Sequence, residues 1–316
     1  GKRLYLSLRL KETWLLRGHT VRTLRIVKEC DTYYAVFTVS IEVPTTHPIQ
    51  KVIALDPNHK NFAVGVDTSG TSIEIEAPFW LKNIDQRIDE LKSMMDRCQQ
   101  NARKKPVLDT QGRSTGKEYT IPSKRRQKLQ RTLDRALRKR REQTKTFMYT
   151  MAHNLCRRYD CIGVGDYAPS GNGITTAMRR SMNNRSLIGR FKIILSWTAQ
   201  KSGRTYIEYD ETGTTRTCHT CGYVVEGGLV PSIRQWRCPV CQTEHIRDEN
   251  AAQNGLAKVL RDLKETGKTE VLQVPCSGLV SVTERWAWCV RPSGIIKVPR
   301  GQNSEQSQRQ EMKTKA

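Results

Sequence analysis

Apolar residues recur along the chain at two spacings, one typical of strands and one typical of helices. Alternating or continuous apolar runs predict strands within 1–43 and at 52–56, 62–67, 71–76, 161–166 and 205–211. Apolar residues three and four positions apart predict helices over 83–102, 123–158, 185–202 and 248–263. The segment 104–122 predicts a loop, and the polar tail from about residue 297 predicts disorder.

The order of these elements predicts the fold class. A three-strand hairpin unit is followed by helices, a strand, a helix, a strand, a Cys-rich insert and a closing helix. This order indicates an α/β layered domain and fits an RNase H-like fold with an insertion. The first residues, GKRLYLSLRL, already alternate like a strand, so we expect the chain to begin inside a fold with a truncated or remodelled N-terminus.

The charge of the chain favours a polyanionic partner. The 316 residues hold 54 Lys and Arg against 31 Asp and Glu, a formal net charge of +23. Nucleic acid is the usual partner of such an excess. A membrane surface is the competing partner, but the sequence has no apolar run near 18 residues and no secretory leader, so we expect no membrane association.

Four of the ten cysteines form two Cys-x-x-Cys pairs. Cys218 and Cys221 precede Cys238 and Cys241 by a spacing typical of a structural zinc site with four thiolates. A closed set of four thiolates leaves no position for water, so we expect the zinc to be structural. The alternative is four unliganded thiols. The remaining six cysteines are scattered and predict ordinary thiols.

Three acids stand at the ends of predicted elements. Asp56 ends the apolar strand IALDPN, Asp166 ends CIGVGD, and Asp248 lies at the start of the helix in HIRDENAAQN. Taken singly, Asp56 can be explained as a turn former and Asp248 as a helix cap. The residues alone leave catalysis and these structural roles open.

Taken in order, three segments resemble the TnpB proteins, transposon-encoded RNA-guided nucleases related to CRISPR type V effectors. The segments are IALDPNHKNFAVGVD, CIGVGDYAPS and TTRTCHTCG…RCPVCQTEHIRDENAAQNGLA. The first matches the family's first RuvC motif, and the last matches its zinc ribbon followed by the third motif. The match covers residues 1–265 approximately, and the N-terminal strands resemble the second half of the family's wedge barrel.

The resemblance implies a domain organisation and an activity. It implies a partial wedge β-barrel over 1–48, a RuvC RNase H-like nuclease domain over 49–215 and 244–265, a zinc ribbon over 216–243 and a C-terminal extension over 266–316. It also implies two partners, a guide RNA and a double-stranded DNA target. Cleavage would take place at one RuvC site that uses two Mg²⁺ ions, and the structural Zn²⁺ would be bound separately. The protein would be cytoplasmic and nucleoid-associated.

The third acid of the site is displaced. Most of the family carries Glu where this chain has Gly165, and Asp166 belongs to the opposite strand face because side chains alternate. A second group within the family places a compensating Glu before the ribbon, in a segment like N-E-x-x-T-T-x-T-C, and Glu211 fits that place. The resemblance therefore implies a metal-binding, catalytic triad of Asp56, Glu211 and Asp248. The alternative for Glu211 is a solvated loop acid.

A nearly unipolar basic segment predicts contact with nucleic acid, although a solvated helix face is the alternative. The predicted contacts are Lys124, Arg125, Arg126, Arg131, Arg135, Arg138, Arg140 and Arg141. Two other functions stay open at this point. One is a nuclease-dead, RNA-guided DNA-binding repressor of the same family, which Gly165 motivates. The other is a plain zinc-ribbon nucleic-acid binder without a guide.

Overall fold

The computed structural model describes residues 16–29, 32–45, 48–58, 61–100, 102–108, 110–167, 187–230, 232–267, 280–291 and 294–300. The chain divides into two compact units. The first contains residues 1–42 and 81–142, and the second contains residues 43–80 and 143–316. A long helix, α2 (Lys124–Arg158), runs through the boundary between them.

The second unit is built on a mixed seven-stranded sheet. In chain order its strands are β3 (Val52–Pro57), β4 (Ala63–Asp67), β5 (Thr71–Ile75), β8 (Cys161–Gly165), β9 (Thr205–Tyr209), β12 (Glu284–Arg291) and β13 (Gly294–Pro299). Their order across the sheet is β13-β12-β5-β4-β3-β8-β9. Strands β3, β8 and β9 run parallel, β4 is antiparallel to both of its neighbours, and β12 runs parallel to β5. The predicted α/β layered architecture is therefore confirmed as a mixed α/β sheet.

Helices cover both faces of this sheet, which explains why its central strands are continuous apolar runs. Residues of β3 alternate between two buried clusters: Ile53 and Leu55 face one, Val52 and Ala54 the other. The first cluster includes α2 and α3 (Ile188–Lys201), and the second includes α4 (Arg247–Glu265). Gly163 lets α4 pack closely, since a Cβ there would lie 3.4 Å from Cβ of Val259.

The first unit contains two hairpins and a helical pair. Strands β1 (Val21–Glu29) and β2 (Thr32–Val39) pair antiparallel. Helix α1 (Lys82–Gln100) and the first turns of α2 enclose a small apolar cluster of Ile88, Leu91, Met95 and Leu133. Of the predicted wedge segment 1–48, residues 1–15 lie outside the described residues, so the strand expected in LYLSLRL is among those not described, and the partial barrel stays a prediction.

The expectation of a loop over 104–122 was wrong. The segment forms an antiparallel hairpin of β6 (Lys104–Leu108) and β7 (Ser114–Thr120). The side chains of β7 are almost all exposed, so the strand has no apolar alternation by which the sequence could reveal it.

The C-terminal extension adds two strands to the sheet. Strand β12 pairs with β5, and its Trp288 is buried in the core. Because β13 continues to Pro299, the predicted polar tail begins later than residue 297, and residues 301–316 lie outside the described residues. Among the helices that the structure describes, none is long and apolar enough to cross a membrane.

Candidate metal centres

The acids predicted from sequence stand where several elements of the second unit end. Asp56 is the fifth residue of β3 and is only 7 % exposed. The register pairs Leu55 with Val164 and Gly165 with Tyr209, so β3, β8 and β9 end at the same edge of the sheet. Glu211 follows β9 by two residues. The carboxyl ends of these parallel strands therefore bring Asp56 and Glu211 to one edge.

The side chain of Glu211 occupies the space above Gly165. A Cβ added to Gly165 would lie 2.6 Å from both Cγ and Cδ of Glu211. The optimal separation of two non-bonded carbon atoms is about 3.5–4.0 Å, so no side chain at position 165 can coexist with this position of Glu211. The glycine and the glutamate are thus sterically coupled across 46 positions of sequence.

The electrostatic environment of Asp56 identifies the third acid. Burial raises the pKa of the Asp56 carboxyl well above its ordinary value, and the carboxylates of Glu211 and Asp248 raise it further. Arg247 opposes this rise. Asp248 lies in the first turn of α4. Because α4 packs on β3 and β4, it brings Asp248 to the sheet. The structure therefore places the three predicted acids in one electrostatic neighbourhood.

Glu211 has an environment suited to a cation. Burial raises the pKa of its carboxyl to about 7, and Asp166 adds to the rise. Lys192 and the backbone N–H of Tyr167 lower the same pKa. Oε1 of Glu211 is buried and has no hydrogen-bond partner among the residues that the structure describes. A buried acceptor without a partner is costly, and a divalent cation is one partner that would satisfy it.

Asp248 is held by the segment between the two cysteine pairs. Nη1 of Arg234 donates to Oδ2 of Asp248 at 3.0 Å and lies 3.3 Å from Oδ1. Across the described ranges, the one group of three or more His, Cys, Asp or Glu residues close enough to share a metal ion is the four cysteines, whose sulfur atoms lie within 4.8 Å of one another. The three acids do not form such a group, and Arg234 is the counter-charge of Asp248.

Asp166 has a backbone role in this arrangement. Its side chain is exposed, and Oδ1 accepts the backbone N–H of Glu211 at 3.2 Å. Tyr167 has a left-handed backbone with φ 45°, and its N–H faces Glu211. Nζ of Lys192 donates to the carbonyl oxygen of Asp166 at 2.9 Å and also pairs with Glu208. Residues after β8 therefore support the Glu211 loop from one side.

The four predicted zinc ligands form a compact cluster. The sulfur atoms of Cys218 and Cys241 are 3.6 Å apart, as are those of Cys221 and Cys238. A tetrahedron with Zn–S bonds near 2.3 Å has S···S edges of about 3.8 Å. Burial raises the pKa of the Cys218 thiol to about 12, so its thiolate is unfavourable without a nearby cation. The four cysteines fit a zinc ribbon.

Sequence reasoning missed His245, which is buried beside this cluster. Its Nε2 lies 3.1 Å from Sγ of Cys218. The residue is on β11 (Glu244–Ile246), which pairs with β10 (Gln235–Arg237) to close the ribbon. Its position four residues after the last Cys, opposite Trp236, was the available signal.

Sequence reasoning also missed Asn250. Its Nδ2 donates to the carbonyl oxygens of Thr217 at 2.8 Å and Thr214 at 3.3 Å. Its Oδ1 accepts the backbone N–H of His219 at 3.0 Å. Asn250 is completely buried, and it connects the backbone around Cys218 to the helix that carries Asp248. The motif Asp-x-Asn-Ala-Ala was visible, but nothing in it shows which backbone the asparagine binds.

The predicted nucleic-acid contacts all lie on α2 within the first unit. Three of them have partners in that unit: Arg140 pairs with Asp85, Arg141 pairs with Glu29, and Arg138 lies 5.0 Å from the ring centroid of Tyr34. The other five are exposed or half-buried: Lys124, Arg125, Arg126, Arg131 and Arg135. Acids on other elements thus neutralise part of the basic run.

The second unit combines a mixed α/β sheet, acids at the ends of its elements and a cluster of four cysteines. The Cas12f1-like TNB domain model matches residues 189–254, which span α3 and the cysteine cluster. The TnpB-like proteins L79 and L770 of Acanthamoeba polyphaga mimivirus are each 29% identical over 140 residues, or 42% of this chain and 26% of theirs.

A CRISPR-associated DNA-binding protein, Cas12m of Allomeiothermus silvanus, is 29% identical over 128 residues, or 38% of this chain and 23% of its own length. A Cas12f1 chain in complex with sgRNA and target DNA superposes with a TM-score of 0.45 at 10% identity, covering 71% of this chain and 41% of that one. The chain spans about a quarter of the curated relatives that it matches. The domain match and these relatives support the resemblance to TnpB proteins that the order of the motifs predicted.

Proposed function

We propose that the chain is an RNA-guided, metal-dependent DNA endonuclease that cleaves target DNA at one RuvC site. Asp56, Glu211 and Asp248 are its metal-binding, catalytic acids. The observation that carries the proposal is the position of Glu211, whose carboxylate fills the space that a side chain at Gly165 would need. A loop acid without a function would gain by turning to solvent, because burial raises its pKa to about 7.

The three carboxylates are suitable ligands for two Mg²⁺ ions, because Mg²⁺ prefers oxygen ligands. Asp56, Glu211 and Asp248 would hold these ions. When bound, the ions would supply activation of a water molecule and stabilisation of charge on the leaving oxygen. Burial of Asp56 keeps its ligand oxygens fixed, and Arg234 offsets the charge of Asp248 before a cation enters.

The four cysteines would hold a structural Zn²⁺. Four thiolates complete a tetrahedral shell, so the zinc stabilises the ribbon and takes no part in phosphodiester hydrolysis. The ribbon contributes to the site through Arg234, which lies between the two cysteine pairs and contacts Asp248.

A guide RNA and a double-stranded DNA target are the proposed partners. The relatives support this, since one is named a DNA-binding protein and a Cas12f1 structure contains sgRNA and target DNA. The exposed basic side chains of α2 supply phosphate contacts, because each neutralised phosphate releases counterions. Such a protein works in the cytoplasm on the nucleoid.

A second candidate is a nuclease-dead, RNA-guided DNA-binding repressor of the same family. Two observations favour it: Gly165 stands where most of the family carries a glutamate, and the three acids do not form a metal-sized group in the described ranges. The repressor binds its target without cutting it. A plain zinc-ribbon binder, in contrast, co-purifies with no defined RNA.

One experiment separates these functions. The chain is expressed with its genomic flanks, and the co-purifying RNA is sequenced and used as the guide. Cleavage of a matched duplex flanked by randomised sequence is then measured with and without Mg²⁺. The endonuclease cuts only with Mg²⁺ and loses cutting, but keeps duplex binding, in Asp56→Asn and Glu211→Gln.

The matched control is Glu226→Gln, an exposed acid in a ribbon turn, which leaves cutting unchanged. Guided binding without cutting by the parent protein would establish the repressor. Cutting that survives Glu211→Gln would remove Glu211 from the triad and leave the guided nuclease intact.

A further inference from the structure

Glu211 lies in a loop, so its position needs support that a strand would otherwise provide. Asp56 is fixed by the ladders of β3 with β4 and β8. Glu211 comes after the last ladder pair of β9, Gly165 with Tyr209. Side chains must therefore hold the backbone around Glu211 if its carboxylate is to stay beside Asp56.

One face of α4 holds this backbone. Nζ of Lys258 donates to the carbonyl oxygens of Asp210 at 2.7 Å and Thr212 at 2.9 Å, the residues on either side of Glu211. One turn earlier, Nδ2 of Asn254 donates to the carbonyl oxygens of Thr214 and Thr217 at 2.8 and 2.7 Å. Residues four apart share a helix face, so both clamps are part of one rigid surface.

The same helix carries Asp248 in its first turn. Because α4 is anchored in the core through Leu256, Val259 and Leu263, it cannot shift without disrupting the sheet. The separation between Glu211 and Asp248 is thus set by one helix and by four hydrogen bonds to loop carbonyls.

We propose that Lys258 and Asn254 are positioning residues that hold Glu211 at a fixed distance from Asp248 for cation binding. This inference rests on the proposed function, since it takes Glu211 as a metal ligand. Neither residue contacts the metal. They act through the loop backbone, as the outer hydrogen-bond partners of metal ligands do, whose loss typically costs 10–100-fold in metal affinity.

Charge gives a test that separates positioning from simple electrostatics. Lys258 is a cation near the proposed metal site, so by Coulomb's law alone its removal would tighten cation binding. Loss of positioning would instead weaken cation binding. Lys258→Met keeps the aliphatic stem and removes the hydrogen-bond donors. Lys258→Arg keeps both the donors and the charge. The control, Lys264→Met, removes a charge from an exposed position on the same helix.

The probe is Mn²⁺ alone, bound by the full zinc-loaded chain and measured from the electron paramagnetic resonance signal of the free ion. Lys258→Met is expected to weaken Mn²⁺ binding roughly tenfold or more. Lys258→Arg should restore most of the affinity, and Lys264→Met should match the parent. Zinc content measured in parallel shows that each variant is folded, and Asn254→Leu replaces Lys258→Met if that variant loses its zinc.

Binding by Lys258→Met that equals or exceeds that of the parent overturns the inference. Glu211→Gln tells this failure from a failure of the proposed function. If Glu211→Gln weakens Mn²⁺ binding and Lys258→Met does not, Glu211 is a ligand that needs no such support. If Glu211→Gln has no effect, the triad and the inference fall together.

Discussion

Replacing Glu211 with Gln should stabilise the metal-free protein at alkaline pH. Gln has nearly the same shape as Glu and carries no charge, so the substitution removes a buried carboxylate without leaving a cavity. Natural side chains seldom destabilise their own fold, and where they do the strain commonly serves function. The direction of the stability change therefore tests whether Glu211 is retained for a cation.

The magnitude follows from the shifted pKa. The pKa of Glu211 rises from 4.5 to about 7 in the folded protein, chiefly through burial. The folded state thus binds the proton more tightly than the unfolded state, so stability falls as the pH rises from 4.5 to 7 and is level above that range. A shift of about 2.5 units corresponds to roughly 3 kcal/mol.

Urea unfolding of parent and Glu211→Gln at pH 8 and pH 4 measures this difference. Both proteins are dialysed into magnesium-free buffer without chelator, so that the ribbon keeps its zinc. At pH 8 the variant should gain up to about 3 kcal/mol, or roughly 1 M in urea midpoint for a slope near 3 kcal/mol/M. At pH 4, where Glu211 is protonated, the two midpoints should coincide.

Mg²⁺ should reverse the order at pH 8, because only the parent binds it tightly and bound ligand stabilises the folded state. Glu226→Gln, an exposed ribbon acid, is the control and should follow the parent at both pH values. A Glu211→Gln protein that is less stable than the parent at pH 8, or equally shifted at both pH values, would refute the reasoning.

Three further predictions concern the surroundings of Glu211 and the zinc cluster. Asp166→Asn removes a charge that raises the pKa of Glu211, so in this background the difference in urea midpoint between Glu211→Gln and its parent should level off at a lower pH and be smaller at pH 8. Gly165→Ala introduces a Cβ 2.6 Å from atoms of Glu211 and should weaken Mn²⁺ binding at least tenfold by displacing the carboxylate, measured by paramagnetic resonance. Cys238→Ser should lose the zinc, measured by a colorimetric chelator after denaturation, whereas Cys98→Ser should retain it.

The sequence predicts the central strands and helices well because their apolar residues are periodic. Strand β3 is a continuous apolar run that both helix layers bury, and α4 has a wide apolar stripe. The hairpin of β6 and β7 was missed because exposed strands carry no such pattern. Strand β12 was missed because its partner β5 lies about 210 residues earlier, and only the fold shows that pairing.

The candidate site likewise contains residues that the sequence marks and contacts that only the fold shows. Asp56 and Asp248 are marked by their positions at the ends of periodic elements, and the cysteines by their spacing. The contact between Glu211 and Gly165 depends on the path of a loop after β9, which no local pattern determines. The clamps by Lys258 and Asn254 are equally hidden, since polar residues on a helix face predict only solvent exposure.

The position of β12 has a consequence for how the protein is made. Until the ribosome has passed residue 291, strand β5 is an open sheet edge and the core lacks the Trp288 side chain. Arg285, which binds the buried carboxylate of Glu249 on α4, also arrives late. A nascent chain that carries every proposed metal ligand therefore still lacks the strands that complete its sheet until residues 284–299 have been made.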